Sequence, residues 1–146
     1  MPAETCYVDE GKGAHKFCRG IVTSAEILAM ARQQAADVEA TRKLKYFLYD
    51  MTEVTDLQIS AETITRMVEV NRMTADHSCG ALGAIVAPNP LAYGMSRMWQ
   101  SSAGGIGWKV QVFHTRAEAI AWLRTELADG HEDYPIDEEY PSLRLA

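Results

Sequence analysis

Residues 81–123 constrain the fold more than any other part of the chain. A short apolar run is followed by a proline turn, an amphipathic segment, a second apolar run and another amphipathic segment. This order predicts a β-α-β-α unit, because parallel strands need a crossover and a helix is the usual one. Residues 81–87 are almost wholly apolar, as in a strand covered on both faces. Pro88, Asn89 and Pro90 break that strand, and a proline in the first helical turn removes no hydrogen bond. Leu91, Met95, Met98 and Trp99 then repeat at helical spacing, and Gly104, Gly105 and Gly107 end the helix. The next strand alternates, with Trp108, Val110 and Val112 on one side and Lys109 and Gln111 on the other, which predicts an edge or half-exposed strand. The last helix turns Ala119, Ile120, Leu123 and Leu127 inward.

Upstream, residues 6–9 and 15–22 read as two antiparallel strands around a glycine-containing loop at 10–14. From Ser24, taken as the N-cap, Ile27, Leu28, Ala31, Ala35 and Val38 follow a helical period. Residues 46–49 form a compact aromatic strand that ends at Asp50, and Ser60 caps a helix carrying Ile64, Met67, Val68 and Ala75, which ends near His77 to Gly80. The expected architecture is α/β: a small open, mostly parallel sheet of about five strands with an N-terminal β-hairpin and about four helices on its faces. One domain spans 1–128. An acidic tail at 129–146 contains Tyr-Pro pairs, and its Tyr134, Ile136, Tyr140 and Leu143 are expected to dock on the domain or on a partner subunit.

Charge narrows the functions. A net charge of -6 with dispersed cations argues against nucleic acid, which is bound through clustered Lys and Arg. No run approaches a membrane span and no leader is visible, so a cytoplasmic protein is expected. Three cysteines make no disulfide framework, although Cys6 and Cys18 could face each other across the hairpin.

The segments Cys18 to Leu28, Phe47-Leu48-Tyr49-Asp50-Met51, Leu91 to Trp99 and Phe113 to Leu123 together resemble the SpoIIAA-like superfamily, the STAS and STAS/SEC14 domains. The resemblance covers most of residues 15–125. Glu118-Ala119 and Trp122-Leu123 after the final strand are its most specific part. It implies roles in protein-protein regulation or small-ligand binding. The anti-sigma-factor antagonists of that group carry a phosphorylatable Ser in a short turn after the Asp-ending strand. The corresponding residues here, 50–60, hold no such turn, and Ser60 is the nearest hydroxyl.

Reactive groups are sparse. His77, Ser78 and Cys79 are adjacent, but adjacent side chains point apart, whereas catalytic sets are assembled from distant positions. No catalytic residue, metal ligand set or cofactor is assigned. Residues 104–107 leave a helix and enter a strand, the reverse of a phosphate loop. Asp50, Glu53 and Asp56 form a polar group at a strand end, read as turn and capping acids that would attract a cation if anything. Ligand or partner contact is therefore expected at Asp50, Asp56, Ser60, Met95, Met98 and Trp99. The leading expectation is a non-enzymatic interaction module that forms a homo-oligomer, a dimer, or binds a protein partner. The alternative is a carrier for an apolar small ligand, and an enzyme comes third.

Overall fold

The computed structural model describes residues 3–130 and Ile136. Strand β1 (Ala3–Val8) and strand β2 (Gly13–Thr23) form the expected antiparallel hairpin. Their connection is tighter than the composition suggests, a single 3-10 turn over Asp9–Gly11. Cys6 opposes His15 and Cys18 opposes Ala3, so register keeps the two thiols apart. Helix α1 (Ser24–Ala36), the short α2 (Val38–Lys43), β3 (Tyr46–Gln58), α3 (Ala61–Ala75), β4 (Leu82–Val86), α4 (Pro90–Ser102), β5 (Lys109–Phe113) and α5 (Arg116–Asp129) follow. The sheet order is β1-β2-β3-β4-β5, parallel from β2 onward, with β5 at an edge as its alternation predicts.

Alternation along the strands sorts the side chains between two layers. Phe47 and Met51 of β3, Ala14 and Cys18 of β2 and Ile85 of β4 join one core with residues of α1, α3 and α4. Tyr46 and Leu48, with Leu82, Ala84 and Val86, join a second core beneath Ala119, Ile120, Leu123 and Leu127 of α5. Ile136 is 2% exposed and belongs to this second core, and its carbonyl accepts a hydrogen bond from Arg124 Nη2 at 2.6 Å. Tyr134, Tyr140 and Leu143 lie outside the described residues.

Several boundaries differ from expectation. Asp37 ends α1, and its carboxylate caps α2 by accepting from Ala40 N–H at 3.1 Å, which makes five α-helices among the described residues and places Val38 in the second. Thr23, not Ser24, caps α1: Thr23 is the extended residue and its hydroxyl accepts from Glu26 N–H, while the Ser24 hydroxyl reaches Thr63 at 2.7 Å. The largest correction concerns residues 50–58, which are strand and not a polar turn. β4 pairs β3 only as far as Asp50, but β2 follows β3 to Gln58, so Val54 and Leu57 stay buried among exposed polar neighbours. Two register irregularities in the β2–β3 pairing, between Phe17 and Arg19 and between Gly20 and Ile21, each give β3 one residue more than β2 and break its alternation there, and Gly20 takes the left-handed φ of +67° beside the second.

Gly83 marks a tight point of the sheet. A Cβ there would lie 2.3 Å from the ring of Phe47, which is itself held against Trp108 at 5.0 Å. Gly83→Ala is expected to destabilise the fold by about 1–3 kcal/mol, the usual cost of overpacking, as a lower urea midpoint at unchanged slope.

Candidate functional site

Two buried charged groups sit on opposite faces of the sheet and are satisfied very differently. On the α5 side, Asp50 is 1% exposed. Its Oδ2 accepts from Arg116 Nη1 at 3.0 Å, and its Oδ1 accepts from Thr52 N–H at 2.8 Å and from the Thr52 hydroxyl at 2.5 Å. Arg116 opens α5, and its Nη2 also donates to His15 Nδ1 at 3.1 Å. Since a guanidinium only donates, His15 Nδ1 is an acceptor and the proton of the neutral ring sits on Nε2. That nitrogen faces the Tyr46 hydroxyl at 3.5 Å, which in turn donates to Asp9 Oδ2 at 2.6 Å. Asp9 holds a left-handed φ of +52°, a conformation uncommon outside glycine, and this bond pins it. The network binds β2, β3, the hairpin turn and α5 together.

On the other face a cavity of about 70 Å³ lies between the sheet and α1, α3 and α4. Met30, Met51, Met67 and Met95 line it with Trp99 and Trp108. Its few polar groups are mostly engaged: Trp99 Nε1 donates to Asn71 Oδ1 at 2.9 Å, and Trp108 Nε1 donates to Ser78 Oγ at 3.0 Å. Lys16 of β2 stands at the edge of this cavity, 5% exposed. Its Nζ donates to Gln34 Oε1 on α1 and lies 6.0 Å from the centre of the Phe47 ring. Burial lowers the Lys16 pKa to about 7, partly opposed by Cys18. The neighbouring Cys18 thiol is pushed up to about 11, chiefly by burial, and so stays protonated and unreactive at neutral pH. Outside Lys16 a wider recess of about 450 Å³ opens between β1 and α1, and Lys16, Met30 and Gln34 line both spaces.

The residues singled out from sequence divide among these places. Met95 and Trp99 line the cavity, whereas Met98 points outward at 42% exposure. Asp50 belongs to the buried network on the opposite face. Asp56 lies exposed on the β3 extension and accepts from Gln58 Nε2 at 3.1 Å. Ser60 caps α3, accepting from Thr63 N–H at 3.2 Å. The polar group at 50, 53 and 56 is therefore not a strand-end cluster: Asp50 is inside, and Glu53 and Asp56 follow on an exposed strand edge. His77 lies beyond the C-terminus of α3, while Ser60 precedes its N-terminus, about 22 Å apart along a helix of 15 residues, so the two do not converge. Ser78 is buried, donating to Thr74 O at 2.9 Å. Among the described residues no cluster of three or more His, Cys, Asp or Glu is arranged to hold a metal, and no helix is long and apolar enough to cross a membrane. Lys16, Gln34, His15 and Arg116 were not foreseen.

No family model matches the chain, and no curated protein matches it in sequence. Among solved structures, that of the anti-sigma factor antagonist SpoIIAA in its unphosphorylated form is similar, with a TM-score of 0.53 at 11% identity over 84% of this chain and 97% of the other. The chain has the SpoIIAA-like fold, as its sequence resemblance implied. At that identity the likeness describes the winding of the chain and not its chemistry.

Lys16 has a measurable consequence. An unfolded lysine keeps its proton to about pH 10, whereas the folded one releases it near 7, so the unfolded state binds more protons between those values and stability rises with pH across the window. From pH 7 to 8.5, below the ordinary cysteine range, wild type should gain roughly 1–2 kcal/mol relative to Lys16→Met. Urea unfolding of both proteins across that range checks it; parallel curves would contradict a buried, titrating Lys16.

Proposed function

We propose that this protein is a cytoplasmic binding module that holds a small apolar ligand between its sheet and the helices α1, α3 and α4. The observation that carries this reading is the methionine- and tryptophan-lined cavity, which shares Lys16, Met30 and Gln34 as lining residues with an open recess. Binding sites are typically concave and mostly apolar with a few placed polar groups, and flexible methionine side chains let a small cavity widen around a guest. The reading assigns no catalytic residue. It also assigns no phospho-switch, since the Ser60 hydroxyl serves as a helix cap and β3 runs on where the switch turn would lie.

The test uses the tryptophans. Trp99 and Trp108 line the cavity while Trp122 packs beside Phe113 on the α5 side, so a guest should change part of the emission. 1-Octanol, an uncharged apolar probe whose single chain suits a cavity of about 70 Å³, is expected to bind saturably near one per chain. Ala31→Phe, which places a ring in the cavity, should weaken that binding at least tenfold while leaving a cooperative melt. Failure of 1-octanol to saturate, or indifference to Ala31→Phe, would sink the reading.

A second reading, self-association as a dimer, is favoured by Met73, Leu91 and Met98 on α3 and α4, exposed by 61%, 52% and 42%. Sedimentation equilibrium is expected to show a concentration-dependent dimer that Met98→Asp dissociates at least tenfold. A strictly monomeric wild type would remove it.

A further inference from the structure

We propose that the ligand of this cavity carries a single carboxylate, held by Lys16 and Gln34 at the boundary between the cavity and the outer recess, with its apolar part pointing inward. The inference rests on the ligand-pocket reading above and adds the head-group chemistry.

Three observations converge on it. The first is the contrast between the buried charges. Asp50 has a guanidinium at 3.0 Å, but among the described residues Lys16 has no carboxylate within ion-pair distance and only the neutral Gln34 amide as hydrogen-bond partner. A buried ammonium without a counter-ion is costly to maintain, and an incoming carboxylate is the simplest group that removes that cost. The second is Gln34, 7% exposed, whose Oε1 is taken by Lys16 while its Nε2 has no hydrogen-bond partner. A buried amide donor left unmade is uncommon in a folded protein. The third is position: both side chains line the inner cavity and the outer recess. An ammonium and an amide N–H₂ at one boundary match the two oxygens of a carboxylate.

The surroundings restrict the class further. Inward from Lys16 the walls are Ile64, Met67, Met95, Ile85, Trp99 and Trp108, so the remainder of the ligand is apolar. A cavity of about 70 Å³ holds a chain or ring of roughly five to seven heavy atoms if each occupies about the space of one water. Outward, Glu4 of β1 and Glu26 and Asp37 at the two ends of α1 border the recess. These carboxylates disfavour a dianion such as a phosphate ester, while one negative charge is matched by one ammonium. Burial lowers the Lys16 pKa to about 7, and a carboxylate beside it would restore the charged form.

Full-length protein is titrated at pH 6, where lysine and carboxylate are both ionised, following tryptophan emission. Octanoate, 1-octanol and octyl phosphate are the probes. Wild type should bind octanoate at least tenfold more tightly than 1-octanol, and no less tightly than octyl phosphate. Lys16→Met should lose at least tenfold for octanoate and keep 1-octanol within about threefold, which shows that the cavity survives. Lys16→Gln, polar but uncharged, should show the same loss and guards against a folding defect in the first variant. If 1-octanol equals octanoate in wild type, or if both variants keep octanoate affinity, the head-group assignment is overturned while the pocket stands. If octyl phosphate binds most tightly, a phosphate head replaces the carboxylate and the proposal is wrong in class. If no probe binds, the pocket reading fails and takes this inference with it.

Discussion

The architecture depends on the period-two alternation of β3. Because it is covered on both faces, each of its side chains must suit one of two layers. Tyr46, Leu48 and Asp50 are committed to α5, while Phe47, Tyr49 and Met51 are committed to the side of α1, α3 and α4. A slip of one residue would exchange the sets and bring Asp50 among the methionines. The pairing with β2 over Gly13 to Thr23 and with β4 over Leu82 to Val86 holds that register. The Asp50–Arg116 pair adds a penalty for any other one, because separating a buried pair leaves a charge stranded at a cost of about 3–5 kcal/mol.

The same alternation explains why the two faces differ chemically. Among the described residues α5 and Ile136 cover one face, and the polar residues beneath them close upon each other through Arg116 and His15. Three helices cover the other face and meet over the sheet around a methionine-lined space that the side chains do not fill completely. Lys16 is placed in that gap by the pleat of β2, where His15 and Phe17 turn to the α5 side and Ala14 and Cys18 to the cavity side. Its position follows from register. That it has no carboxylate partner among the described residues does not follow from register, and the proposed head-group site rests on it.

Much of this was legible in the residues, for identifiable reasons. Apolar runs such as 81–87 have few alternatives to a doubly covered strand, and Pro90 and the glycines at 104–107 punctuate α4 through their own stereochemistry. The extension of β3 was not legible. Asp50, Thr52, Glu53, Thr55 and Asp56 are turn-forming or polar residues, and the extra residues that β3 carries against β2 replace the two-residue period with burial at Met51, Val54 and Leu57. The polar network escaped for another reason: Arg116 and Asp50 are 66 residues apart, and nothing local distinguishes a buried arginine from a solvated one. Lys16, between His15 and Phe17, reads as an ordinary polar position of a half-exposed strand until α1 is seen to lie over it.

The fold and the cavity carry separate information. At 11% identity to SpoIIAA the shared feature is the path of the chain, which demands apolar periodicity and turns but no particular side chain at the sheet–helix boundary. A methionine at position 16 would serve the core at least as well as a lysine, since replacing buried charge by apolar volume is often neutral or stabilising. The same holds for Gln34, whose buried amide nitrogen has no hydrogen-bond partner among the described residues, an arrangement that costs stability. Two adjacent residues that each lower stability, both at the mouth of one cavity, are poorly explained by folding alone. A bound group that completes their hydrogen bonds accounts for both at once.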